Sequence, residues 1–166
     1  MNFWTGAVGQ FAVAMLATVC FGVTFEVPVR HLTASGLTGA VGWLFYIIGV
    51  GPLGLSAPTA TLLAALPLTL TARLYAVRHR APITLFLLCG IFPLVPGAGI
   101  YYTAYYFLNG AQQLCVSKGV ETFKTAVALA LVIALVCSIP LPAGLLAPER
   151  GAAPPKKDRP WKDRFE

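Results

Sequence analysis

Charge is almost absent from the first 148 residues of this chain. Of its 18 Lys, Arg, Asp and Glu side chains, ten lie in residues 149–166 and only eight in everything before. A soluble domain carries about a quarter of its residues charged, so this stretch lacks the means to cover a water-facing surface. The whole chain is 57% hydrophobic with a mean hydropathy of +0.75. That excludes a disordered chain, which combines low hydrophobicity with high charge. The apolar runs are about 20 residues long, the length at which a helix crosses about 30 Å of hydrocarbon. The expected fold is all-α: a polytopic integral membrane protein with about five transmembrane helices, four being possible. The transmembrane domain is read as residues 1–147. Residues 148–166, with Pro154, Pro155 and Pro160, read as a disordered basic tail.

The first span is expected over about residues 5–24, closed by the charge and Pro28 of F-E-V-P-V-R. A signal peptide is the rival, but no Lys or Arg precedes Arg30 to make a basic n-region, and L-A-T-V-C at 16–20 only loosely resembles a lipoprotein cleavage site. The second segment, about 35–53, decides between five crossings and four. Its Gly36, Gly39 and Gly42 recur every three residues, a spacing that lets helix backbones approach closely in lipid. The third, about 57–77, contains Pro67 as an expected kink. The fourth, 82–107, is interrupted at Pro93 to Gly97. The fifth, about 123–141, stops at I-P-L-P. Gln112, Gln113, Lys118, Glu121 and Lys124, before and at its start, read as an outer polar connector of mostly plain surface residues.

The net charge of +6 is not a nucleic-acid footprint. Six of the twelve basic residues lie in the tail, and Arg73, Arg78 and Arg80 cluster beside the third segment. Five crossings put Arg30, that cluster and the tail on one face, with ten basic residues. Lys118 and Lys124 fall on the other. The positive-inside rule then makes the C-terminus cytoplasmic and the N-terminus external. A four-crossing arrangement moves only the N-terminus and Arg30.

No catalytic or metal-ligating constellation is visible, so neither an enzyme nor a cofactor is expected. His31 and His79 sit beside arginines at expected helix ends, with no nucleophile in view. Cys20, Cys89, Cys115 and Cys137 form no Cys-x-x-Cys pair and read as small apolar side chains. G-V-G-P-L-G at 49–54 matches a dinucleotide-binding pattern in letters only. Such a site needs a strand before it, and here a membrane-spanning pattern precedes it and Pro52 sits inside it. A helix-ending turn is expected.

The most informative stretch is I-F-P-L-V-P-G-A-G at 91–99, close to the middle of the fourth segment. Pro93 and Pro96 each remove a backbone donor. Gly97 and Gly99 permit close approach and unusual backbone angles. Irregular backbone at that depth is tolerated only where it is buried in protein or lines a cavity. In transporters the second half-helix of such a span aims its free N–H groups at an anionic group of the solute. A packing kink is the alternative. Tyr101, Tyr102, Tyr105 and Tyr106 follow. Their spacing pairs Tyr101 with Tyr105 and Tyr102 with Tyr106. Tyr105 and Tyr106 fit an interfacial belt, whereas Tyr101 and Tyr102 lie near enough to the break to offer hydroxyls to a solute. Glu26 and Arg30 flank Pro28, either paired, facing a partner or solvated.

Two stretches carry a family resemblance. C-F-G-V-T-F-E-V-P-V-R at 20–30 resembles the end of the first helix in the threonine/serine exporter family, and F-P-L-V-P-G-A-G-I-Y at 92–101 resembles its proline-glycine signature. Over roughly residues 1–145 the chain is similar to the small subunit of the split form, in which a ten-helix exporter is divided into a larger chain and a small one. The resemblance implies a secondary exporter of small polar solutes in the bacterial inner membrane, working with a larger partner subunit. Members are associated with threonine and serine export, the split pair with succinate export. It marks Glu26, Pro28 and Arg30, and Pro93 to Gly97, as family-typical positions without making them ligands. The expected partners are the larger subunit, membrane lipid and a small organic solute, in a complex of open stoichiometry, with higher oligomers allowed. The rival reading is a non-transporting scaffold that packs on a partner through Gly36, Gly39 and Gly42.

Overall fold

The computed structural model describes residues 3–139, and the expected 147/148 boundary and basic tail lie outside them. Six α-helices follow one another: α1 (Phe3–Thr24), α2 (Val29–Val50), α3 (Ala57–His79), α4 (Ile83–Ile91), α5 (Gly97–Leu108) and α6 (Gln112–Ser138). A single 3-10 turn, Phe92–Leu94, joins α4 to α5. No strand occurs among the described residues. Four helices (α1, α2, α3 and α6) are long and apolar enough to cross a membrane. The pair α4 and α5, bent by 47°, makes a fifth candidate span.

Two boundaries differ from the sequence expectation, for one reason. The second segment was expected from residue 35, yet α2 begins at Val29. The fifth was expected from residue 123, yet α6 begins at Gln112. In both, polar side chains in the first turns lower a hydropathy average without opposing a helix. Pro28 supplies the entry to α2, since its fixed φ suits the position before the first turn and its carbonyl accepts from His31 N at 2.8 Å. The residues read as an outer connector, 112–124, are therefore helical. G-V-G-P-L-G does end a helix: α2 stops at Val50, Gly51 caps it, and Gly54 turns the chain at φ +61°.

Small residues decide how the helices meet. Gly36 and Gly39 of α2 face α1, where a Cβ would run into Val19 and Thr18 respectively. Gly42 faces α3, where a Cβ would meet Leu68. The stripe is thus buried inside the chain rather than offered to a partner, which removes the contact on which the scaffold reading rested. Ala64, Ala65 and Leu68 of α3 pack with Leu129, Val132 and Val136 of α6 and with Leu94 of the break. Phe86 of α4, fully buried, sits with Ala34 and Ala72.

Buried threonines are satisfied within their own helices. Thr18, Thr38 and Thr69 are buried, and each donates its hydroxyl proton to the carbonyl four residues back. An unpartnered buried hydroxyl costs about 1–3 kcal/mol. Outward faces are apolar instead: Leu62, Leu66, Leu70 and Leu74 form an exposed stripe along α3 at four-residue spacing. Such a stripe is a liability in water and an ordinary surface in lipid. Helix α5 stands at the edge. It packs on α6 and has no buried residue.

Arg73, read in the sequence as one of three clustered charges, has a packing role. Its guanidinium donates to the carbonyls of Val136 and Ile139. Those are orphan acceptors at the end of α6, where a cation also complements the helix dipole. His31 is buried at the start of α2. It accepts from Arg30 Nε at 3.0 Å through Nε2, and its ring meets His79 edge-on at 5.3 Å. The start of α2 and the ends of α3 and α6 therefore share one end of the bundle.

Candidate functional site

The break falls between two half-helices of one candidate span. Val95 is extended at ψ 129°, and Pro96 precedes the first residue of α5. Pro93 and Pro96 bring no N–H, and Gly97 N turns back to Val95 O at 2.7 Å. Ile100 N bonds to Pro96 O. The N–H groups of Ala98 and Gly99 donate to nothing among the described residues, as expected of the first turn of a helix. They carry the partial positive charge of the α5 N-terminus.

A cavity of about 360 Å³ opens at this point, within the size range of small-molecule sites. The whole break from Pro93 to Gly99 forms one wall, Trp43 and Tyr46 of α2 a second, and Thr61 of α3 a third. The fourth wall is α6, through Lys118, Glu121, Thr122 and Thr125. These four stand at the i, i+3, i+4, i+7 spacing of one helix face. Lys118 Nζ lies 2.8 Å from Glu121 Oε2, with the two side chains 44% and 43% exposed. An exposed helical pair at close spacing contributes about 0.3–0.5 kcal/mol, too little to explain by itself two charges in an apolar helix.

The cavity is polarised by its hydrogen-bond chemistry. Donors include the Lys118 ammonium, the N–H groups of the first turn of α5 and the Tyr46 and Tyr102 hydroxyls. Acceptors are the Glu121 carboxylate and three threonine oxygens. The Thr61, Thr122 and Thr125 hydroxyls each donate to a carbonyl four residues back, of Ala57, Lys118 and Glu121. Their protons are spent on their own helices, which leaves each oxygen as an acceptor only. Gly99 belongs here for a steric reason: its missing Cβ leaves the Thr122 side chain room, so α5 and α6 approach closely.

The structure brings together Pro93, Pro96, Gly97, Gly99 and Tyr102 in one wall and leaves out Tyr101, which is exposed and stacked on Tyr105 at 6.3 Å. Glu26 and Arg30 do not pair: Glu26 turns the chain at φ +56°, and Arg30 engages His31. Lys118 and Glu121, read in the sequence as connector surface, line the cavity instead. Their helical spacing with Thr122 and Thr125 was the available signal.

Long apolar helices and lipid-compatible outer faces mark a multi-pass membrane protein, and a bent helix pair beside a cavity with charged and hydroxyl groups in its lining is a feature that transporters use. The chain belongs to the threonine/serine exporter family, whose sequence pattern (Threonine/Serine exporter, ThrE) matches residues 10–139. It is 29% identical over 117 residues to a probable threonine/serine exporter of Mycobacterium tuberculosis (strain ATCC 25618 / H37Rv). That alignment covers 70% of this chain and 22% of the relative, so the chain spans well under half the length of the curated relative it matches. No solved structure matches the chain.

Proposed function

We propose that this chain is the small membrane subunit of a secondary exporter for small polar organic solutes, amino acids of the threonine/serine type or dicarboxylates such as succinate. It works with a larger partner subunit in the bacterial inner membrane. The observation that carries the reading is the break at Pro93 to Gly99, which lines a cavity that also holds the Lys118–Glu121 pair and the Thr61, Thr122 and Thr125 side chains. Family membership supports export, and the relative's much greater length supports a partner that supplies the remaining helices. Pro93, Pro96, Gly97, Gly99 and Tyr102 line the solute path.

The C-terminus is cytoplasmic and the N-terminus external. What supports this orientation is that Arg30 at the start of α2, Arg78 and Arg80 at the end of α3, and the end of α6 that leads to the basic tail lie at one end of the bundle. Expression in a host without this transport system tests the subunit reading. The chain alone gives no export, and export appears when the larger subunit is supplied. Robust export by this chain reconstituted alone contradicts it.

A further inference from the structure

We propose that the Lys118–Glu121 ion pair is the charge-selective element of the cavity, opened by a zwitterionic solute that exchanges its own carboxylate and ammonium for the two side chains. The proposal rests on reading the broken span as the solute path.

The pair is built to open. Both side chains come from one helix, three residues apart, so parting them separates no packed elements. Neither side chain has another hydrogen-bond or ionic partner among the described residues. Each is nearly half exposed and lines the cavity. Ionisable groups within a membrane-spanning helix are costly and usually functional.

The exchange conserves ion contacts. In the closed state Lys118 and Glu121 satisfy each other. With a zwitterion bound, the Lys118 ammonium and the free N–H groups of Ala98 and Gly99 take the solute carboxylate. The Glu121 carboxylate and the lone pairs of Thr122 and Thr125 take its ammonium. The two charges sum to zero and, once parted, present opposite signs, which matches a zwitterionic solute. A dianion sets its second carboxylate against Glu121, and a dication sets one ammonium against Lys118 and the positive end of α5. Each leaves a like-charge contact in a confined site, which is how a site rejects a wrong partner.

The test uses inverted membrane vesicles from the native host, with the chromosomal copy replaced by each variant so that its natural partners are present. Uptake of labelled L-threonine and of labelled succinate is measured per unit of this chain. Glu121→Gln keeps the side-chain shape and removes the negative charge. It lowers L-threonine uptake and shifts the L-threonine to succinate ratio toward succinate by about tenfold or more. Lys118→Gln lowers uptake of both. The double variant leaves no unpaired charge, so it keeps the test readable where a single variant fails to accumulate; it too loses the preference for L-threonine. An unchanged ratio in all three variants overturns the proposal and makes the pair structural. If the wild type transports and Gly97→Leu abolishes transport while the Glu121→Gln ratio is unchanged, the solute path stands and only the ion-pair proposal falls. If wild-type vesicles take up neither solute, both fall.

Discussion

A Cβ on Gly99 would run into the Thr122 side chain, whereas one on Gly97 meets nothing within 4 Å. The two glycines lie two residues apart in the same turn of α5, yet substitution acts on different properties. Gly99→Val wedges α5 from α6. It is expected to destabilise the protein by about 1–3 kcal/mol, the usual cost of overpacking, measured as a lower melting temperature of the purified protein in detergent. Gly97→Leu fills open space on the cavity wall and leaves melting nearly unchanged. Arg73 gives a second residue-scale prediction. Arg73→Gln removes the cation that ties the end of α6 to α3, at about 1.5–3 kcal/mol for hydrogen bonds to a charged group. Arg78→Gln, with no bond to another element among the described residues, has little effect on melting. Equal melting temperatures for the Arg73 and Arg78 variants contradict the capping role.

At the scale of the element, the break was legible because Pro and Gly act on the backbone locally, whatever surrounds them. The ends of α2 and α6 were not. Arg30 and His31 lower the average hydropathy of the first turn of α2, and Lys118, Glu121 and Lys124 do the same in α6. An average does not register that Lys118, Glu121, Thr122 and Thr125 share one face, which turns to a cavity. The cavity itself was out of reach of sequence reasoning, since its walls come from α2, α3, α5 and α6. Likewise the glycine stripe of α2 signalled close packing without saying against what. Its partners, α1 and α3, follow only from the fold. An element-scale prediction concerns Pro96. Pro96→Ala restores a backbone donor with a good helix former. It lowers export at normal abundance if the half-helix geometry serves the solute. Normal export per unit protein indicates a packing kink.

Across the whole molecule, the proposed topology counts the bent pair α4 and α5 as a fifth crossing, which puts the chain ends on opposite sides of the membrane. A cysteine probe at Asn2 is labelled from outside in intact cells, and one at Lys162 is protected. Labelling at Lys162 overturns the orientation, and protection at both ends favours four crossings. The α5 edge bears on the same scale. No residue of α5 is buried, and Ile100, Phe107 and Leu108 are exposed, an apolar face compatible with lipid or with helices of a larger complex. The proposed solute path runs along the break between α4 and α5. Its most direct test is export per unit membrane protein by Gly97→Leu in the native host, for L-threonine, L-serine and succinate in turn. Export of every solute the wild type carries is expected to fall by about tenfold or more, equivalent to about 1.4 kcal/mol of lost solute interaction, with abundance and melting unchanged. Near-normal export at normal abundance would contradict that path.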